Sequence, residues 1–351
     1  MILVDEARAG LLLQLAHARF DPYLSEAEIE VLRDSASSLD PEESETSAPR
    51  PEIRPEFVRW LATEPEAALH IDPKGLRLYG FTLPEKLDLG KCRLGFGISF
   101  FRCTLHGGVN LQFAEIGVLS IVDCTVEGSI LADGIDIRGA LLLRNSIFSG
   151  EIRVVGSKIK ADLSCTGAKL RVSDGRALSL DCAEIGGSVF LSEGFESSGL
   201  ICMVNATIKG QLDFKGAKLL RLPMAPPFAD LPAIAADDSR DALTADCAEI
   251  RGSVLMTQGF ESSGAIHLDN TTIGGQLSFF DAEVERVNCT DLKLAGDLIW
   301  MGIRISERTV LDLTGARIKN LRDDWESWPP QDNLLLSGLV YEELSLHEPS
   351  S

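Results

Sequence analysis

The ten residues DCAEIGGSVF that begin at Asp181 return almost unchanged as DCAEIRGSVL from Asp246. Repetition of this kind restricts a chain to arrays in which each unit buries its apolar face against the next. Three copies of nearly equal length are recognisable, from Ala132 to Leu170, from Leu180 to Leu219 and from Ala245 to Val284. The wider spacing of the last two comes from one insertion, RLPMAPPFADLPAIAADDSRD from Arg221, whose extra residues fall at about 221–240.

Each copy divides into tens and each ten into fives. In GQLDFKGAKL from Gly210 the large apolar residues are Leu212, Phe214 and Leu219, with Ala217 as a small one. ADLSCTGAKL, ERVNCTDLKL and TVLDLTGARI follow the same template. A helix repeats its apolar stripe every 3.6 residues and a long strand alternates without a break, so neither produces this pattern. A coil with corners does. If two residues of every five point inward, four fives close a square of about 20 residues, and successive squares hydrogen-bond at the ~4.8 Å spacing of a β ladder. From about Leu87 to Lys319 there is room for about 10 to 11 such rungs, a rod of ~50 Å.

With this pattern the sequence resembles the pentapeptide-repeat class of right-handed parallel β-helices. GSVFLSEGF, GSVLMTQGF and SGLVYEEL are similar to segments of a bacterial group of β-helix proteins, over roughly Ile53 to the C-terminus. The resemblance implies an all-β solenoid and assigns no activity. EGFESSG and QGFESSG depart from the simplest repeat by adding residues at one corner, so the rungs are not uniform squares. Some members of the group continue into membrane-associated segments, which have no counterpart here.

A stack of rungs exposes backbone edges only at its two ends, so the flanking sequence reads as caps. DEARAGLLLQLAHARF, with Leu11 and Leu15 and then Leu12 and Ala16 at helical spacing, and SEAEIEVLRDSASS, with Ser25 before Glu28, predict helices within residues 1–37. A charged, Pro- and Ser-rich linker follows over 38–52. Residues 53–86 supply a helix with Phe57, Trp60 and Leu61 on one face and a first strand, residues 87–319 the β-helix, and residues 320–351 a C-terminal cap carrying Trp325 and Trp328. Rods capped at both ends do not polymerise end to end, although smaller homo-oligomers remain compatible with the sequence.

Net charge is −20, but residues 1–66 contribute −9 and residues 320–351 contribute −6, which leaves only −5 for the long stretch between them. An acidic chain of this kind is not expected to bind nucleic acid directly. A DNA-mimicking inhibitor of a topoisomerase, a role known among pentapeptide-repeat proteins, needs its negative charge on the rod and is therefore the alternative to a non-catalytic scaffold that binds another protein. The third reading, a carbohydrate-active enzyme, requires acidic ligands gathered with a basic residue, and none are gathered in the sequence. The eight cysteines never form C-x-x-C, and His17, His70, His106, His267 and His347 form no H-x-x-x-H or Glu-His pairing, so no cofactor or metal is expected. Asp5 and Glu6 stand where a signal peptide carries basic residues, and no apolar run reaches the ~18–20 residues of a membrane span. These features predict a cytoplasmic protein.

Cys92, Cys103 and Cys124 occupy the small inward slot of the template, and Cys165 and Cys289 a larger inward one, where a free thiol packs as an apolar group. Cys182 and Cys247 share a slot, and the coils between them rule out a bridge. Two features point outward. Between Arg153 and Arg176 six basic residues, Arg153, Lys158, Lys160, Lys169, Arg171 and Arg176, face only Asp162 and Asp174. Lys218 repeats the slot of Lys169 one copy later, which places both on one wall about 10 Å apart, two ladder steps. Arg153, Lys158, Lys160, Lys169, Arg171 and Lys218 are the candidate site for an anionic partner, against the alternative of an ordinary solvated face. The insertion, with Met224 and Phe228, is the candidate recognition loop, against the alternative of a lid packed on the rod.

Overall fold

The computed structural model describes residues 2–20, 23–37, 51–172, 175–221 and 241–346. Four helices open the chain, α1 (Ile2–Phe20), α2 (Glu26–Ala36), α3 (Pro55–Thr63) and α4 (Pro65–Ala68). From Leu76 onward the described residues form short strands in two large sheets, interrupted late by two short 3₁₀ turns. The architecture is an all-β parallel solenoid of about 11 turns of ~23 residues. Among the described residues no helix is long and apolar enough to cross a membrane.

Inward pairs two residues apart form four walls. In one turn Leu163 and Cys165, Ala168 and Leu170, Leu178 and Leu180, and Ala183 and Ile185 are all buried. One column runs the whole length in register: Leu76, Ile98, Leu119, Leu141, Leu163, Val189, Leu212, Val254, Leu277, Leu298, Leu321 and Leu344. We call its face the leucine wall. Another column, Ile116, Ile137, Ile159, Ile185, Ile208, Ile250 and Ile273, defines the isoleucine wall. Aromatic rings close the lumen where the small slots leave room: Phe214 meets Phe260 edge-on at 5.9 Å, and Phe279 meets Trp300 at 5.2 Å. Each fully buried aliphatic residue contributes roughly 1.5–3 kcal/mol of transfer free energy, so one deletion in a column is a large local loss.

The coil is wider than a square of four fives. Leu119, Leu141 and Leu163 stand directly above one another in the ladder although more than four fives of sequence separate each from the next, and the step from Leu163 to Val189 is longer still. The added residues are at the corners. Phe113, Gly134, Gly156, Cys182, Asn205 and Cys247 stack at one bend, all with φ between +56° and +64°. A second column, including Asp123, Asn145 and Gly167, does the same at another bend. These bends place only two residues between inward side chains, as Thr166 and Gly167 do between Cys165 and Ala168; the added residues are at the other corners, where three separate Ile137 from Leu141 and Phe148 from Ile152. Beside the isoleucine wall a third corner is a glycine seam: a Cβ on Gly252 would stand 2.6 Å from the Gly210 carbonyl oxygen.

The N-terminal helices pack on the rod. Phe57, Val58 and Leu61 of α3 are fully buried, and Phe20 of α1 meets Phe57 and Trp60 edge-on at 5.7 and 5.4 Å. Leu12 and Ala16 are the buried members of the expected α1 stripe, while Leu11 is exposed. α2 starts with the predicted capping box, Ser25 accepting from the Glu28 N–H and Glu28 accepting from the Ser25 N–H. It is tied to the first coil by the Asp72 N–H donating to the Ser35 carbonyl at 2.8 Å.

The C-terminal region continues the ladder. Leu334–Leu335 and Val340–Leu346 pair in parallel with the coil before them. Trp328 is half-buried against the core and donates to Asp323 at 2.6 Å, whereas Trp325 is largely exposed. Buried Trp300 fills the lumen there and donates to the Ser327 carbonyl at 2.7 Å. Residues 334–335 and 340–346 of the expected C-terminal cap thus form a further rung.

Candidate functional site

Because one turn takes ~23 residues, the stretch from Arg153 to Arg176 circles the rod instead of lining one face. Lys158 and Lys160 stand on the isoleucine wall, flanking Ile159. Lys169 lies on the wall reached after the next corners, and Arg171 just past it. Arg153 lies on the fourth wall, in the column that later holds His267. The single basic stripe expected from the sequence is therefore divided among three walls.

Lys169 and Lys218 do share a column, two rungs apart, but Glu196 sits between them. Lys169 Nζ is 2.5 Å from Glu196 Oε1, and Lys218 Nζ is 2.9 Å from Glu261 on the following rung. Arg153 pairs with Asp133 at 3.1 Å and Arg176 with Asp181 at 2.7 Å. These cations are neutralised within the ladder. Arg171 is exposed and forms no ion pair among the described residues. Met224 and Phe228, the candidate recognition loop, lie outside the described residues.

The isoleucine wall differs. Arg138, Lys160, Gly186, Lys209, Arg251 and Gly274 form one outward column, each N–H donating to the isoleucine carbonyl of the rung before. Glycine at 186 is sterically required, since a Cβ would stand 2.3 Å from the Lys160 carbonyl oxygen. Its missing side chain leaves a notch between Lys160 and Lys209, two rungs or about 10 Å apart along the ladder. A groove of about 440 Å³ lies over this notch, lined by Asp136, Lys158, Lys160, Glu184, Thr207, Lys209 and Arg251 among others. Arg251 is held by Glu249 at 3.0 Å. Lys158, Lys160 and Lys209 form no ion pair among the described residues, although Glu184 follows Lys158 in the ladder. Charge clustering along the sequence misses Lys209 and Arg251, but TIKG and EIRG repeat the slot of KIKA at Lys160 and carry the signal.

Spatial pairing also gives two histidines partners that sequence adjacency hides. His106 lies 2.7 Å from Glu127 on the next rung. His267 faces Asp269 at 3.8 Å and Asp241 at 2.9 Å, with Asn288 3.1 Å from its other nitrogen. Asp269 raises the His267 pKa, burial opposes it, and Asp241, within hydrogen-bond range, raises it further. No group of three or more His, Cys, Asp or Glu side chains among the described residues is arranged to hold a metal ion.

All eight cysteines are free. Cys103, Cys124, Cys165 and Cys289 are buried in the lumen as expected, and Cys92, on the first turn of its column, is half-buried. Burial pushes the Cys165 thiol up to about 12 and, with Asp181 assisting, that of Cys202 to about 11, so both stay protonated at neutral pH. Cys182 and Cys247 are exposed at the left-handed corner, and the Asn205 rung separates them. In comparisons with known proteins the chain matches no family model and no curated protein.

Proposed function

We propose that this chain is a non-catalytic interaction scaffold of the pentapeptide-repeat-like type, recognising an acidic segment of a partner protein in the groove of the isoleucine wall. One observation carries the reading: Lys158, Lys160 and Lys209 surround the notch over Gly186 without an ion pair among the described residues, whereas Lys169 and Lys218 are neutralised by their rung neighbours. Lysines flanking a gap two rungs wide match carboxylates spaced about 10 Å apart on an extended chain. Scaffolding suits a rod whose lumen is filled by side chains and whose walls are stiffened by every rung. Eight unbridged cysteines agree with a reducing, cytoplasmic setting.

Fluorescence anisotropy with a labelled decaglutamate peptide tests the assignment. Lys160→Glu together with Lys209→Glu should weaken binding at least tenfold, while Lys169→Glu on the neighbouring wall should change it less than twofold. Equal weakening by both would show attraction to a generally charged surface and end the reading.

A further inference from the structure

The strand Val340–Leu346 is hydrogen-bonded along one side, to Arg317–Asp323, and no described strand pairs with its other side. Tyr341 and Leu344 continue the lumen columns through Ile318 and Leu321, yet they are 43% and 46% exposed. In the same last rung Leu335, 45% exposed, takes the outward slot above Asp312, and Leu336, next to it, is 41% exposed. The result is a seven-residue free β edge beside an open apolar lumen, the arrangement that sheet proteins ordinarily cover.

The charge around this face is one-sided. Residues 323–346 include Asp323, Asp324, Glu326, Asp332, Glu342 and Glu343 and no lysine or arginine. The rung before it carries Arg317, Lys319 and Arg322 and is net basic, with Arg317 opposite Val340 and Arg322 opposite Ser345. Within the rod Lys169 and Lys218 are each closed by a glutamate on the following rung, although that column goes on from Glu261 to Glu283. A basic segment seated over Glu342 and Glu343 repeats these Lys–Glu contacts across rungs. A second copy does not fit: related by a two-fold axis, the acidic rims would face each other, and the other end of the rod is covered by helices.

The geometry points to strand addition by a partner protein: an extended segment with apolar residues opposite Tyr341 and Leu344 and lysine or arginine opposite Glu342 and Glu343 adds to the free edge as the next rung. Main-chain hydrogen bonds along the edge give affinity, and the paired apolar and basic positions give selectivity. The site is at the rod's end, away from the lysine groove, and stands whether or not that groove binds acidic peptides.

The probe is the heptapeptide VYKKLSL, the strand's own sequence with lysine for both glutamates, labelled with fluorescein and titrated with the full chain. Expected is saturable binding at least tenfold tighter than for VYEELSL. N-methylation of alternate backbone amides on the pairing edge should abolish it, and the surface variant carrying Glu342→Lys and Glu343→Lys should reverse the preference. Equal binding of both peptides, survival of binding after N-methylation, or no reversal in the variant would each overturn the assignment. So would sedimentation of the full chain at twice 38.0 kDa that is lost in Leu344→Arg, because the edge would then be occupied by a second copy.

Discussion

The two ends of the solenoid solve one physical problem in opposite ways. At the N-terminal end α3 lays Phe57, Val58 and Leu61 across the first coil, and α1 and α2 pack over it, so the apolar lumen meets no water. At the other end Tyr341 and Leu344 complete their columns and remain accessible. A lumen built by stacking does not terminate itself. Each rung supplies half of the burial needed by the next, and only an element outside the repeat, or a partner, supplies the missing half.

The largest expected effect breaks this comparison at the closed end. Phe57→Ala removes a fully buried ring at the junction of α1, α3 and the first coil and should cost about 3–5 kcal/mol. Tyr341→Ala, which removes an aromatic from the open end, should cost less than about 1 kcal/mol, because its ring is already half in water. Urea unfolding followed by dichroism measures both. Comparable losses would mean that the open end is covered in solution.

Next in size is the ion pair that fastens α2 to α3. Arg54 Nε lies 2.7 Å from Glu28 Oε1 and its Nη2 2.8 Å from Oε2, with Glu28 only 1% exposed. Arg54→Met leaves this carboxylate buried without its partner and should cost about 3 kcal/mol. Burial alone would raise the Glu28 pKa, but hydrogen bonds from Arg54 and the Ser25 N–H outweigh it, so the net shift is downward. A carboxylate held below its unfolded pKa stabilises above that value and loses its contribution as pH falls through the folded pKa. The wild type should therefore keep its advantage over Arg54→Met at pH 7 and lose most of it below about pH 4, the ordinary glutamate range. A gap that stays constant with pH would assign the loss to packing of the arginine stem.

Much of this is legible in the sequence, for identifiable reasons. The inward pairs are readable because spacing alone fixes which side chains share a lumen, so the slots of Leu212, Phe214 and Leu219 transfer to the structure unchanged. Coil length is not, because the extra residue stands at corners such as the one between Ile137 and Leu141, and a third corner residue leaves the spacing within each inward pair unchanged. That small difference propagates to the site. A coil of ~23 residues sends Arg153, Lys158 and Lys169 to three walls, and it places the partner of Lys169 at Glu196, 27 positions away. Charges adjacent in sequence are thus distant on the rod, and charges a full turn apart are neighbours. The lysine groove depends on that second relation, which is why clustering along the chain points to Lys158 and Lys160 and passes over Lys209 and Arg251.

The smallest expected effect sharpens the closed end. Asp34, near the C-terminal end of α2, has its pKa pushed up to about 6 by burial and by Glu30, with Arg77 opposing. A carboxyl whose folded pKa exceeds its unfolded value of about 3.9 behaves opposite to Glu28: its favourable contribution is complete below the unfolded pKa and is lost as pH rises through 6. At pH 7.5 the charged form is therefore a strain on the helical cap, and Asp34→Asn, which keeps the shape and removes the charge, should raise the melting temperature by about 2 °C. At pH 4 the same substitution should change nothing, because the native aspartic acid is already neutral. Glu28 and Asp34, two turns apart on one helix, thus pull its pH response in opposite directions. Differential scanning calorimetry of Asp34→Asn at both pH values separates them. A stabilisation that persists at pH 4 would mean that charge is not what strains Asp34.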